Sequence, residues 1–289
     1  MQTPHPQPQG LADTAIELRA QALQILCCPD PVLKSQLALA LHAQAGDLPL
    51  DTHQSLRPDP ALRLPGRPEK PPLVMPARVA QRSPVTVAGR AALIHAICHI
   101  EFNAINLALD AVWRFAGMPQ AFYLDWLRVA AEEAYHFSLL REHLLTLAHP
   151  EPGRHWDYGD FQAHDGLWVM CERTAADITA RMALVPRTLE ARGLDATPLI
   201  QAKLRQVGAP DALQAVALLD IILRDEIGHV EIGNRWYRWL CEREGLDPVA
   251  HYVELVRQYD APRLRPPFNQ AARLRAGFSQ QELDYLLGA

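Results

Sequence analysis

Four long segments of the chain carry apolar residues at the spacing of an α-helix. Stepping by three and four residues aligns one apolar stripe along each of 89–116, about 120–148, about 161–185 and about 210–243. No run of alternating β-branched residues is present, so the pattern predicts no strands. A segment of about 26 residues forms a helix about 39 Å long. Four such helices predict an all-α four-helix bundle.

Two shorter helical patterns precede the predicted bundle. Thr14 and Glu17 have the spacing of a capping box at the start of the first pattern. Asp30 followed by Pro31 predicts the N-cap and the first residue of the second pattern. Together they predict a helical hairpin over residues 12–45.

A proline-rich stretch separates the hairpin from the bundle. Eight of the 24 prolines lie between Pro58 and Pro84, which excludes regular helix there. We call residues 58–88 the strap. The predicted organisation is an N-terminal helical hairpin over 1–57, the strap over 58–88, a bundle over 89–245 with an insertion at 186–209, and a helical extension over 246–289.

Each long stripe is interrupted near its centre by a carboxylate, and two stripes carry a histidine three residues later. The interrupting residues are, in chain order, Glu101, Glu133, His136, Glu172, Glu226 and His229. An isolated buried carboxylate is unfavourable by several kcal/mol or more. Two divalent cations would balance the negative charge of four carboxylates. A ligand set of carboxylates and imidazoles suits iron or manganese rather than structural zinc. The pattern therefore predicts two metal ions, iron first, with manganese or a mixed pair as the alternative.

Residues beside these six are predicted to support or surround the site. Glu132 and Asp225 each precede a ligand glutamate, and each is expected to accept the Nδ1–H of the histidine on the partner helix. Other residues are predicted to leave a pocket for O₂ or substrate, with close helix packing as the alternative for the small ones. The predicted pocket residues are Cys98, Ala104, Ala108, Trp168, Ala175, Ala176 and Thr179.

Composition narrows the classes of function. The net charge is −5, so no protein-wide basic field attracts nucleic acid or membrane. No apolar run comes near the ~20 residues that span a bilayer, and the five cysteines are odd in number. We expect reduced thiols and a cytoplasmic protein. Residues 57–90 hold seven Lys/Arg against two Asp/Glu. They are expected to pair with acids on the bundle, with RNA or phosphate binding as the alternative.

Several motifs resemble those of known families. They are RPEKPPLV at 67–74, HIE at 99–101, EEAYHF at 132–137 and DEIGH at 225–229. The chain is similar, from about residue 12 to 258, to an uncharacterised bacterial family of the ferritin-like superfamily, known as a domain of unknown function. More distantly, it resembles the di-iron tRNA hydroxylase that acts on methylthio-isopentenyladenosine, whose third helix also reads Cys-Glu-Arg, here 171–173.

The resemblance implies a reduced dimetal site that reacts with O₂. We expect an enzyme, an O₂-dependent oxidase or oxygenase, that acts on an unidentified substrate as a monomer or dimer. No flavin or nicotinamide motif is present, so an external electron donor is expected. No catalytic residue beyond the metal ligands is predicted. The alternatives are an iron-handling ferroxidase, or a metal-free scaffold that binds a partner or RNA.

Overall fold

The computed structural model describes residues 17–288, which form helices and turns without a β-strand. Two isolated bridges are the nearest approach to sheet structure in this range. The helices are α1 Leu18–Leu26, α2 Pro31–Gln44, α3 Val87–Arg114, α4 Gln120–Thr146, α5 Gly166–Arg173, α6 Ile178–Leu184, α7 Ala191–Val207, α8 Pro210–Glu244, α9 Pro248–Gln258, α10 Gln270–Arg275 and α11 Gln280–Gly288. The all-α prediction is confirmed for the described residues.

Local capping defines the N-terminal hairpin. Helix α1 begins at Leu18, and the carboxylate of Glu17 accepts a hydrogen bond from the N–H of Ala20 at 2.8 Å. The predicted cap at Thr14 lies outside the described residues. Helix α2 begins as predicted, because the Asp30 carboxylate accepts from the N–H of Leu33 and Pro31 occupies the first turn.

Three of the four predicted long helices are present with nearly the expected bounds. They are α3, α4 and α8, and their apolar stripes are buried. Helix α3 packs along α4, to which only residues 115–119 connect it, and α4 also contacts α8. The hairpin lies on the same assembly, with α1 against α3 and α2 against α4.

The prediction of one continuous third helix over 161–185 is wrong. Helix α5 ends at Arg173, and the chain turns before α6 begins at Ile178. Asp177 starts α6 anew, because its side chain accepts a hydrogen bond from the N–H of Ala180 at 2.8 Å. The side chains on either side of this break therefore do not share one helical face.

Pro186 does not end the helical segment that begins with α6. Residues Val185–Glu190 form a wider π-helical turn, here called the π turn, and α7 continues from Ala191 to Val207. Proline lacks the N–H that an α-helix would use and its ring crowds the preceding turn, so a wider turn accommodates it. The stretch 186–209, predicted as an insertion, is thus mostly a continuation of α6.

The strap lies against the long helices and the loop before α5. Before α3 begins at Val87, the helical content of the strap is one 3₁₀ turn, Pro76–Arg78. The N–H of Val74 donates to the carbonyl of Ala163 at 2.9 Å. Arg67 forms an ion pair with Asp165. This arginine therefore pairs with an acid beside the bundle, as the favoured interpretation of the basic stretch expected.

The C-terminal helices cover the outer side of α7 and α8. They form a second, smaller apolar cluster separate from the main core. Its buried members are Ala191, Leu194, Val230, Ala272, Ala276, Phe278 and Leu283. This packing places α10 and α11 beside the π turn, where the Arg187 guanidinium pairs with Glu282.

Two expectations from composition can be compared with the structure. All five cysteines are free thiols. Helix α3 is long and apolar enough to cross a membrane by length and composition, with mean hydropathy 1.4, so the expectation of no such stretch is wrong on those criteria. However, 72% of the most apolar 18-residue stretch of α3 is buried inside the protein, which is the environment of a core helix.

Candidate metal centre

Three helices bring four of the predicted ligands together. Glu101 comes from α3, Glu133 and His136 from α4, and Glu226 from α8. One possible ligand atom from each residue lies within 4.8 Å of all the others, and all four residues are buried. The Glu-x-x-His spacing works here because residues three apart on a helix project from the same face.

His229 on α8 completes the opposite side of this cluster. Its Nδ1 lies 2.9 Å from Glu133 Oε1 and 3.9 Å from Glu226 Oε1. The other oxygen of Glu133 lies 3.5 Å from Nδ1 of His136, which is also 3.3 Å from Glu101 Oε2. The carboxylate of Glu133 therefore stands between the two imidazole rings, whose centroids are 5.8 Å apart.

The atoms that face one another in this cluster are not hydrogen bonded, although they are close. Glu101 Oε2, both oxygens of Glu133, Glu226 Oε2 and Nδ1 of both histidines are buried without a hydrogen-bond partner. Buried polar atoms in proteins are nearly always hydrogen bonded. Lone pairs that converge without donors are the arrangement that a cation satisfies. The donor set therefore fits metal ions with oxygen and imidazole ligands.

The outer nitrogen of each histidine contacts a carboxylate on the other ligand helix. His136 Nε2 lies 3.2 Å from Asp225 Oδ2, and His229 Nε2 lies 2.7 Å from Glu132 Oε2. The predicted partners meet, but the predicted nitrogen is wrong, since the contact uses Nε2. A carboxylate accepts, so each Nε2–H donates, and in the neutral ring the Nδ1 lone pair points into the cluster.

Glu172 does not join the cluster. It is exposed, and its Oε1 accepts a hydrogen bond from the indole N–H of Trp168 at 2.9 Å. The prediction placed it at the centre of a buried stripe. Because α5 ends one residue later and the chain turns, the helical register assumed for 161–185 does not hold here.

Glu190, which the helical pattern did not single out, is a further buried carboxylate that interacts electrostatically with this cluster. It is the last residue of the π turn, it is 7% exposed, and neither of its oxygens has a hydrogen-bond partner. The charge of Glu133 raises its pKa and that of His229 lowers it. The signal was present in the sequence, because Ala183, Arg187, Glu190 and Leu194 share helical spacing once Pro186 is allowed inside the helix.

Burial and crowding shift the protonation of this cluster. Burial, together with the charge of Glu133, raises the pKa of Glu101 and of Glu190 to about 8 each. Burial lowers the pKa of His136, but the adjacent carboxylates of Glu101 and Glu133 outweigh it and raise that pKa to about 12. Bound protons are one way of balancing the buried negative charge, and divalent cations are another.

The predicted pocket residues do not share one environment. Cys98, Ala104, Ala108, Trp168 and Thr179 are buried, whereas Ala175 is half-buried and Ala176 is exposed in the turn after α5. Cys98 contacts the carbonyl of Phe137, and Thr179 contacts Glu244. The exposure of Ala176 is explained by the same break in the third helix that displaces Glu172.

The chain matches the family described as "Protein of unknown function (DUF455)" over residues 27–284, and it belongs to that family. It is similar to an "Uncharacterized protein" of Haemophilus influenzae, with 54% identity over 226 residues that cover 76% of this chain and 75% of the relative. No solved structure matches the chain. These descriptions name no activity, so the function must be argued from the side chains.

Proposed function

We propose that this member of the DUF455 family is a dimetal carboxylate protein of the ferritin-like type that uses O₂ to oxidise a substrate. The observation that carries the proposal is the convergence of buried, unpartnered carboxylate and imidazole lone pairs from separate helices. We infer six ligands, namely Glu101, Glu133, His136, Glu190, Glu226 and His229.

The order of these ligands along the chain supports the ferritin-like assignment. With Glu190 in the third position, the order is Glu, Glu-x-x-His, Glu, Glu-x-x-His, which is the ligand set of the di-iron and di-manganese carboxylate bundles. The four contributing segments are α3, α4, the π turn and α8. The finer assignment of a four-helix bundle follows from treating α6, the π turn and α7 as its third helix.

Each residue has a distinct task in the proposed centre. Glu133 lies between the two histidines and would be a ligand beside both, while Glu132 and Asp225 hold the imidazole rings with Nδ1 inward. A pair of ferrous ions held here would supply electrons for the reduction of O₂. The residues themselves would position the metals, accept the Nε2–H of each imidazole and exclude bulk water.

Differences in exposure indicate the side on which O₂ and substrate approach. Glu133, His136 and His229 are fully buried, whereas Glu190 and Glu226 are 7% and 8% exposed. The least buried of these residues therefore lie at the edge formed by the π turn and α8, although both oxygens of Glu190 and Oε2 of Glu226 are themselves buried. We propose that this edge admits O₂ and substrate, in place of the Ala176 side that the sequence had indicated.

Metal content tests the centre directly. Purified protein, reconstituted anaerobically with Fe²⁺ or Mn²⁺ and then desalted, should retain about two ions per chain by elemental analysis. The variants Glu133→Ala and His229→Ala should each lose most of that metal. Retention of fewer than about one ion by the wild-type protein, or full occupancy in both variants, would refute the proposal.

A matched pair of variants tests the assignment of the fourth carboxylate. Glu190→Gln should lower metal occupancy, because it removes an anionic ligand. Glu172→Gln should leave occupancy unchanged, because Glu172 is exposed and bonded to Trp168. Circular dichroism and thermal unfolding of both variants verify folding. Loss of metal in the Glu172 variant with retention in the Glu190 variant would reverse the assignment.

Reaction with O₂ separates the proposed oxidase from an iron-handling protein. The diferrous protein should consume O₂ in proportion to its bound iron, and further Fe²⁺ should not accumulate. An iron-handling protein would instead take up many ions per chain as oxidised iron. Continued uptake during repeated Fe²⁺ additions in air would therefore favour the alternative function.

A further inference from the structure

Tyr158, in the loop between α4 and α5, is hydrogen bonded to a histidine that the proposed metal centre does not use. Its phenol oxygen lies 2.9 Å from Nδ1 of His99 on α3. Nε2 of the same ring lies 3.1 Å from the carbonyl oxygen of His164, which can only accept a hydrogen bond. Asn103 Nδ2, also 3.0 Å from Nε2, donates to the carbonyl of His99 at 2.9 Å. Nε2 therefore carries the proton, and the lone pair of Nδ1 accepts the O–H of Tyr158.

Two fully buried tyrosines show how this hydrogen bond differs from the usual one. The phenol of Tyr123 donates to the carbonyl of Phe115 at 2.9 Å, and that of Tyr237 donates to the carbonyl of Pro248 at 2.8 Å. A backbone carbonyl accepts a hydrogen bond but does not take up a proton near neutral pH, whereas an imidazole does. Loss of one electron makes a phenol strongly acidic, so its oxidation requires a base. Tyr158 has that base in place.

Aromatic rings connect Tyr158 with the segments of α3 and α4 that carry proposed ligands. The centroid of its ring lies 5.5 Å from that of Phe102 and 5.3 Å from that of Phe137. These two phenylalanines directly follow Glu101 and His136 in the sequence. One aromatic side chain therefore separates the phenol from each ligand-bearing segment, and electrons tunnel over separations of this order.

The surroundings of Tyr158 shield its ring from most of the solvent. The side chain is half-buried, and the His95 ring stacks on it with centroids 5.4 Å apart. Pro68 and Pro71 of the strap line the same small cavity as the phenol. A radical on this ring would therefore react with dissolved molecules more slowly than one on an exposed tyrosine.

We propose that Tyr158 and His99 form a redox pair, in which the phenol gives one electron to an oxidant while its proton passes to Nδ1 of His99. The O–H bond breaks, an N–H bond forms, and the products are a neutral tyrosyl radical and an imidazolium. The acceptor of the electron is a one-electron oxidant, which is the oxidised metal centre in the protein or a ruthenium(III) complex in the test. The role toward the metal centre rests on the proposed function, whereas the chemistry of the pair does not.

Photo-oxidation of the full-length, metal-free protein tests the pair by itself. Tris(bipyridine)ruthenium(II) with persulfate generates the oxidant in a flash, and frozen samples are examined by electron paramagnetic resonance. The wild type should give a tyrosyl spectrum that falls at least about tenfold in Tyr158→Phe, the ratio of populations that about 59 mV in potential produces. Tyr237→Phe, the matched buried control, should keep the wild-type signal. An undiminished signal in Tyr158→Phe would overturn the proposal.

The acceptor of the proton is tested separately. Glutamine accepts the phenol hydrogen bond through its oxygen but does not take up a proton, so His99→Gln should also lose at least about tenfold of the signal. Circular dichroism verifies that this variant is folded. In the wild type, double resonance should detect a proton hydrogen bonded to the radical oxygen, and a deuteron should replace it in D₂O. A full signal in folded His99→Gln, or no exchangeable proton at the radical oxygen, would contradict proton transfer to His99.

Iron loading then tests the role toward the metal centre. Protein loaded with Fe²⁺ and exposed to O₂ should give the same tyrosyl spectrum, and Tyr158→Phe should not. A radical that forms with ruthenium but never in the iron-loaded protein would refute electron transfer from Tyr158 to the centre. Failure to retain iron would instead refute the proposed metal centre, and the result on metal-free protein would stand.

Discussion

Two half-exposed carboxylates orient the histidines of the candidate centre. Glu132 and Asp225 contact the outer nitrogens of His229 and His136, so the inner nitrogens face the buried carboxylates of the cluster. Partners of this kind fix the tautomer and the ring orientation of metal-binding histidines. Each partner comes from the opposite helix of the pair, so the same contacts also join α4 to α8.

Removal of one such partner should weaken metal binding without abolishing it. Glu132→Ala should lower the affinity for Co²⁺ by about 10- to 100-fold, because His229 loses the acceptor that orients its ring. Glu132→Gln keeps an acceptor oxygen and should lose less. Competition titrations with a chromophoric chelator measure both affinities. The control Glu231→Ala removes a half-buried carboxylate that pairs with Arg235 instead of a histidine, and it should match the wild type. Equal affinity in all three variants would argue against an orienting role.

A buried histidine outside the centre makes the fold sensitive to acid. His95 is fully buried, and its Nε2 accepts a hydrogen bond from the N–H of Gly159 at 2.9 Å, which requires the neutral ring. Burial lowers its pKa from 6.5 to about 4. As pH falls through this window the unfolded chain takes up the proton first. The stability present above pH 6.5 is therefore lost progressively toward pH 4.

The loss should reach about 1.4 kcal/mol per pH unit at most for this one group. In His95→Gln the free energy of unfolding should fall less steeply over the same pH window, because glutamine does not titrate. Urea denaturation at stepped pH measures the slopes. The exposed control His53→Gln should retain the wild-type slope. Identical slopes in all three proteins would contradict the assignment to His95.

At the scale of secondary structure, the π turn determines where the charged side chains of the segment between α6 and α7 lie. It carries Pro186, Arg187 and Glu190, and it packs against α8 at Gly233. A Cβ atom at Gly233 would lie 2.6 Å from two atoms of the Pro186 ring, so the close approach needs glycine. Wider turns inside helices are frequent at functional sites, which fits a turn that carries Glu190 beside the candidate metal centre.

Gly233→Ala should therefore displace the π turn. We expect a loss of about 1–3 kcal/mol in the free energy of unfolding from overpacking, together with lower metal occupancy as Glu190 moves. Gly228→Ala on the same helix is the matched control, because a Cβ atom there would lie 3.8 Å from the flexible Arg128 side chain. That variant should be as stable as the wild type or more so. Denaturant unfolding compares them, and equal destabilisation would show that the Pro186 contact is not the cause.

At the scale of the whole molecule, buried cations join the N-terminal hairpin and the strap to the long helices. Lys34 donates from Nζ to the carbonyls of Leu26 and Gly66 and to Asn106 on α3. Arg19, which is fully buried, donates to backbone carbonyls near the end of α3 and in the segment after α2. The hairpin and strap therefore share their polar contacts with α3, and we expect them to unfold together with it.

The substitution Gly66→Ala, which adds one methyl group, tests whether the strap and the hairpin unfold together. A Cβ atom at Gly66 would lie 2.0 Å from the carbonyl oxygen of Cys27, so Gly66→Ala should separate the strap from the hairpin. We expect a loss of about 1–3 kcal/mol and faster proteolysis within residues 58–88. Gly46→Ala, where nothing lies within 4 Å, is the control. A strap that stays protected in both variants would show that this contact does not hold it in place.

Local periodicity was sufficient to predict much of this protein. The all-α class, the bounds of α3, α4 and α8, and the grouping of Glu101, Glu133, His136, Glu226 and His229 follow from residues spaced three and four apart on continuous helices. Such a pattern depends on the regular 3.6-residue turn. It fails where that turn is interrupted, which is why it assigned Glu172 to the core.

Tertiary structure alone decided the rest. The break before Asp177 leaves Glu172 exposed, and the π turn at Pro186 buries Glu190. The turn fits against α8 because Gly233 has no side chain. The pairing of Arg187 with Glu282 spans 95 positions, and no local rule relates them. Helical periodicity reports which side chains share a face, whereas contacts between distant segments decide which faces meet.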